Sequence, residues 1–184
     1  MLALYPLKAN ADVTLVWSQP EQVSNLSGNN SPSLSMGTDS NNTVHAVWEA
    51  QGGEYGGNPI PAIYYSNKPV GGSWTTPVNL LQNFRVFDTN NVNLFLGETP
   101  NLFIDNHDKV HIAWAGFRAQ GDAVLPLFYA VRNTDGSWTY PSSSPLFWPN
   151  VSALHPVINV EQGGKVNLVY VNLNDSNIYY STRA

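Results

Sequence analysis

Short runs in which apolar and polar residues alternate recur along the whole chain, and no segment carries a convincing helical period. Side chains of a strand point alternately to two faces, so such runs, bounded by Gly, Asn, Asp and Pro, predict antiparallel strands joined by tight turns. They fall at 33–37, 43–49, 62–67 and 73–80, again at 100–105, 109–117, 125–132 and 137–142, and a third time at 156–161, 165–172 and 177–182. Between the first and second run of each group stand DSNN, DNHD and EQGG, residues that tolerate the left-handed backbone of a hairpin turn.

The groups are copies of one another. NKPVGGSWTTP (67–77) and VRNTDGSWTYP (131–141) share a Gly-Ser-Trp-Thr core and a closing Pro. The third copy has no such segment after residue 182, but LVWSQPEQVS near the other end aligns Trp17 and Pro20 with Trp74 and Pro77 and with Trp138 and Pro141. An additional outer strand is therefore expected within 12–24.

Tandem four-stranded units of roughly 45 residues are blades of a β-propeller. The motif resembles the sialidase-like, Asp-box family of propellers, and within it a lectin-like subset, on Asp135, Gly136, Ser137 and Trp138; copy one departs, with Val70 and Gly71 where the acidic residue is expected. The expected fold is all-β: a single propeller domain over 1–184, with blades near 31–80, 99–145 and 155–184. Trp17, Trp74 and Trp138 are expected to pack over their blades and seal the gaps between them. Trp48, Trp114 and Tyr170 are expected in the core, and His45 and His111, equivalent to Asn167, as hydrogen-bonded structural residues. A propeller closes with about four to eight blades, so three call for completion. A homodimer is expected, two chains head to tail making about six blades, each lending its N-terminal outer strand to the third blade of the other.

Composition narrows the partners. Apolar residues make up 42% of the chain and charged residues 11%, with a net charge of −5, so a core forms and no basic field exists to hold nucleic acid or an anionic membrane. No stretch approaches the roughly 20 apolar residues of a membrane span. The chain has no cysteine, which removes disulfides and thiolate chemistry, and no ligand cluster of recognisable spacing implies a metal or other cofactor. An Asn-, Ser-, Thr- and Gly-rich surface fits a glycan or other neutral polar ligand and an extracellular or cell-surface setting.

The resemblance places the fourth-to-first and second-to-third strand loops on one face of the ring, around the channel. In or beside those loops lie Glu49, Glu54, Tyr55, Arg85, Asp88, Glu98, Arg118, Asp122, Trp148 and His155. Carboxylates and arginines bind sugar hydroxyls or acidic groups, and aromatic faces stack on a pyranose ring. The candidate ligand-binding set is Glu49, Tyr55, Arg85, Asp88, Glu98, Arg118, Asp122, Trp148 and His155. The resemblance implies three arginines for a sialidase, yet only Arg85 and Arg118 stand in suitable loops. The favoured expectation is a non-catalytic, lectin-like binding propeller, with a glycoside hydrolase or a protein-interaction scaffold as alternatives.

Overall fold

The computed structural model describes residues 17–26, 30–55, 58–83, 95–118, 125–140 and 152–183. These form three antiparallel sheets, with no α-helix among the described residues. In blade 1, β1 (Asn30–Thr38), β2 (Val44–Tyr55), β3 (Asn58–Lys68) and β4 (Val78–Asn79) pair in that order. Blade 2 repeats the order with β5 (Phe95–Ile104), β6 (Val110–Arg118), β7 (Leu127–Arg132) and β8 (Trp138–Thr139). Blade 3 consists of β9 (Ala153–Val160), β10 (Val166–Asn172) and β11 (Ile178–Arg183). β1 packs beside β5 and β5 beside β9, so the first strand of each blade is innermost, as in a propeller.

Within the described residues the outer strands are shorter than the alternation suggested: 73–80 contracts to Val78–Asn79, and of 137–140 only Trp138–Thr139 are strand, 141 and 142 lying outside the described residues. Side-chain bonds supplement the ladder in blade 1, where Ser66 Oγ donates to the Thr75 carbonyl at 2.7 Å and the Asn67 N–H to Thr75 Oγ1 at 3.1 Å. The inner strand of copy one has a larger bulge, four residues from Asn30 to Leu34 spanning two of β2 where β5 spans two of β6 with three, so Ser35, opposite Val47, is the structural counterpart of Asn101, opposite Ala113.

The pleat distributes the core. Val47, Ile63 and Tyr65 of blade 1 meet Ile112, Trp114 and Phe128 of blade 2. Ala113, Ala115 and Leu127, from the opposite face of blade 2, meet Ile158, Leu168 and Tyr170 of blade 3. Trp48, Trp114 and Tyr170 are all buried, as expected, each such side chain contributing about 1.5–3 kcal/mol. Trp138 also seals a gap: its ring meets Tyr65 of the preceding blade edge-on at 5.1 Å. Trp17 does not, standing almost fully exposed.

Turn chemistry repeats as closely as the core. Asn42, Asp108 and Gly164 take φ of 60°, 60° and 84° at the same point of three hairpins. Asp39 Oδ1 accepts the Thr43 N–H at 2.7 Å, and Asp105 Oδ1 accepts the Lys109 N–H at 2.9 Å. The other carboxylate oxygen of each reaches a histidine: Asp39 to His45 Nε2 at 3.3 Å and Asp105 to His111 Nε2 at 3.1 Å. The remaining ring nitrogens meet Tyr65 Oη at 2.6 Å and Tyr129 Oη at 2.5 Å. Blade 3 builds the same relay from other residues, Asn167 Nδ2 donating to Glu161 at 3.0 Å and Tyr180 Oη to Asn167 Oδ1 at 2.7 Å. The two histidines are thus satisfied structural groups.

Burial lowers the pKa of both histidines, against the opposing pull of Asp39 and Asp105. A neutral buried histidine contributes stability that is complete above the unfolded value, about 6.5, and is lost as pH falls. Burial raises Asp39 and Asp105, but their hydrogen bonds outweigh it and the net shift is downward, so their contribution fades only at lower pH. His45→Asn and His111→Asn together, copying blade 3, should flatten the fall in urea midpoint between pH 7.5 and 5. An unchanged slope would show that these rings do not carry it.

Candidate active site

Each blade's hairpin turns between the first two strands lie at one end of the sheets; Glu49 and Glu98 lie toward the other. Glu49 stands on β2 opposite Ile63, and Glu98 on β5 opposite Ala115. Their positions in the repeat are normally apolar, since Glu49 corresponds to Ala115 and Val171, and Glu98 to Leu154. A carboxylate at such a place faces the neighbouring blade rather than open solvent.

Two local features bring the carboxylates together. Gly97 packs directly on blade 1, where a Cβ would lie 2.6 Å from Ile63 Cγ1, so only glycine lets β5 approach this closely. β5 then carries one extra residue between Glu98 and Asn101, a bulge at Thr99-Pro100. Thr99 adopts φ of 49°, rare for a β-branched residue, and this conformation aims its N–H at Glu49 Oε2, 3.3 Å away in blade 1. Blade 3 repeats the device at His155-Pro156, with φ of 51° at His155, whose N–H donates to Thr99 Oγ1 at 3.2 Å. Glu49, Thr99 and His155 form one hydrogen-bonded seam across three blades, and Glu98 stands next to Thr99 on β5.

The electrostatics of the seam are uneven. Burial raises the Glu98 pKa, and the charge of nearby Glu49 adds to the rise. Glu98 therefore retains a proton to higher pH than an ordinary glutamate. A carboxyl group with a raised pKa beside a second carboxyl group is an arrangement suited to acid–base chemistry. Among the described residues no three His, Asp or Glu side chains group to hold a metal ion.

Of the expected site residues, Glu49, Glu98 and His155 come together. Tyr55 and Arg118 are the last residues of β2 and β6, at the same end of their sheets. Arg85, Asp88, Asp122 and Trp148 lie outside the described residues. Arg132 and Arg183 sit at the hairpin end. The sequence reading missed Gly97 and Thr99. The signal for Thr99 was present, because all three copies open on a residue followed by proline: Ser31-Pro32, Thr99-Pro100 and His155-Pro156.

Solved structures share this architecture. A thermostable family-43 glycoside hydrolase matches with a TM-score of 0.54 at 16% identity over 82% of this chain and 53% of that one. A Hadza microbial sialidase matches with a TM-score of 0.59 at 14% identity over 82% of this chain and 30% of that one. An endo-arabinase from Bacteroides thetaiotaomicron gives 0.52 at 14% identity, covering 82% and 54%. The likeness establishes a β-propeller fold. The chain spans about half the length of the first and third of these proteins and under a third of the second. No protein-family model matches the chain, and no curated protein is similar to it in sequence. The expectation of a non-catalytic module is corrected here: the structures that share the fold are named as hydrolases. The apolar repeat positions of Glu49 and Glu98, unnecessary for a purely structural blade, agree with that correction.

Glu49→Gln should lower the Glu98 pKa, read by carbon-detected NMR titration of the side-chain carboxyl; an unmoved Glu98 would break the coupling between them. Gly97→Val should destabilise the fold by about 1–3 kcal/mol through overpacking against Ile63, measured by urea denaturation.

Proposed function

We propose that this propeller hydrolyses a glycosidic bond, with Glu98 as the proton donor to the leaving oxygen and Glu49 as its partner carboxyl group. The observation that carries this reading is the seam itself: a half-buried carboxyl whose pKa is raised by burial and by nearby Glu49, the latter oriented by the Thr99 N–H. Glycosidases work with two such groups about 5 to 10 Å apart, the second acting either as nucleophile or as base toward water. The fold shared with a family-43 glycoside hydrolase and an endo-arabinase supports the reading.

A neutral sugar is the better substrate. Of the described arginines only Arg118 ends a strand on the Glu98 side, whereas Arg132 and Arg183 stand at the hairpin end, about 16 Å along the strand from the level of Glu98, so the three arginines of a sialidase do not gather there among the described residues. His155, exposed and bonded through its backbone N–H to Thr99, would offer its ring to a sugar hydroxyl. A panel of aryl glycosides, arabinosides and xylosides among them with a sialoside for contrast, should reveal hydrolysis of a neutral member. Glu98→Gln should then reduce turnover about 10²- to 10⁴-fold, as should Glu49→Gln, with folding unchanged by circular dichroism. Hydrolysis unaffected by either change would refute the assignment. Binding of a neutral oligosaccharide without any turnover would return the propeller to a lectin-like role.

A further inference from the structure

The hairpins that join the first two strands of blades 1 and 2 are clamped together. The Ser40 N–H and Oγ–H of blade 1 donate to the two carboxylate oxygens of Asp108 in blade 2, at 2.8 and 2.6 Å. In the next pair of hairpins, repeat order sets Asn106 of blade 2 at the place of Ser40, and Gly163 and Gly164 of blade 3 at the places of His107 and Asp108. Asp108 and Gly164 fill one turn position: their N–H groups donate to the Asp105 and Glu161 carbonyls at 3.0 and 2.8 Å, with φ of 60° and 84°. Blade 3 therefore sends no carboxylate to the blade 2 hairpin, and a Cβ added at Gly163 or Gly164 would meet nothing within 4 Å.

What opens instead is a cleft of about 410 Å³ between blades 2 and 3, at the end of the sheets away from Glu49 and Glu98. Both walls belong to consecutive blades of the chain. Lys109 lines it where blade 1 has Thr43, and Asn133 lines it where blade 1 has Pro69. The second contact thus lacks a carboxylate that the first one has, and gains a lysine that the first lacks.

The acids of the cleft are already committed. Asp105 Oδ1 accepts the His107 and Lys109 N–H groups at 2.9 Å and Oδ2 meets His111, while Glu161 Oε1 takes bonds from Asn167 at 3.0 Å and Lys165 at 3.5 Å. Asp39 makes the bonds of Asp105 in the contact that holds Asp108, so such an acid is compatible with a second carboxylate. Hydroxyl-binding groups complete the wall. Asn133 Nδ2 donates to Ser137 Oγ and Thr139 Oγ1 at 3.1 and 2.9 Å, which leaves Asn133 Oδ1 to accept and the Thr139 hydroxyl to donate.

We infer that this cleft binds a sugar acid, its carboxylate beside Lys109 in the place that Asp108 fills at the first contact and its hydroxyls toward Asn133 and Thr139. A hydrogen bond between ionised partners is roughly twice as strong as a neutral one, which favours an acid over a neutral sugar. The site is separate from Glu98 and does not depend on hydrolysis.

Galacturonate is the probe, titrated at constant ionic strength and followed by amide NMR at Lys109, Gly163 and Gly164. Saturable shifts are expected at these residues, with acetate and galactose each binding at least about tenfold more weakly. Gly164→Asp, which supplies the carboxylate from blade 3, should abolish binding with the circular dichroism unchanged. Lys109→Thr, copying blade 1, should weaken it about tenfold. The absence of saturable shifts at roughly 50 mM galacturonate would overturn the inference. So would acetate or galactose binding as tightly, or unchanged affinity in the Lys109→Thr or Gly164→Asp chain.

Discussion

Val47 and Trp48 are consecutive residues that point to opposite faces of one sheet, and both are buried. A sheet with two apolar faces must be covered twice. Between neighbouring blades the cover is another sheet, Val47 and Tyr65 meeting Trp114 and Phe128, then Ala113 and Leu127 meeting Leu168 and Tyr170, while Val23 and Leu26 pack on the Trp48 face of blade 1. Because the hydrophobic contribution scales with area removed from water, a blade is stable only in a stack. The polar relays follow the same geometry: a buried histidine or asparagine on the second strand ties the hairpin acid to a tyrosine on the third, leaving no nitrogen of those rings unpaired.

The seam at the candidate site exploits this stacking. Inner strands lie close enough for one blade's backbone to hydrogen-bond another blade's side chain, and a bulge uses that proximity by aiming the Thr99 N–H at Glu49. Thr99 and His155 hold left-handed backbone conformations directly before proline, two unfavourable choices in succession. The strain is located where Glu49 and Glu98 meet, and the close approach at Gly97 carries β5 into place. Glu98 owes its raised pKa to burial between blades, with the second charge supplied by the neighbouring sheet.

Much of the fold was legible in residue order. Period-2 runs, turn residues and the repeated Gly-Ser-Trp-Thr string specify strands, hairpins and their number of copies, because these depend on local backbone chemistry. The equivalence of His45, His111 and Asn167 was equally visible, and it led to their structural role. Ser33 and Asn101 both follow a Ser-Pro or Thr-Pro pair, yet pairing with β2 sets Ser35, and not Ser33, at the position of Asn101. Local order cannot see a bulge whose extra residues are absorbed by a partner strand.

The candidate site divides in the same way. That Glu49 and Glu98 are carboxylates among apolar counterparts is a property of the repeat, readable by aligning its copies. The charge of Glu49 felt at Glu98, the Thr99 N–H aimed at Glu49 and the raised pKa of Glu98 were decided by tertiary structure alone. The physical reason is that charge coupling and desolvation depend on through-space distance between sheets, and the alternation of residues along a strand records only which face each side chain takes.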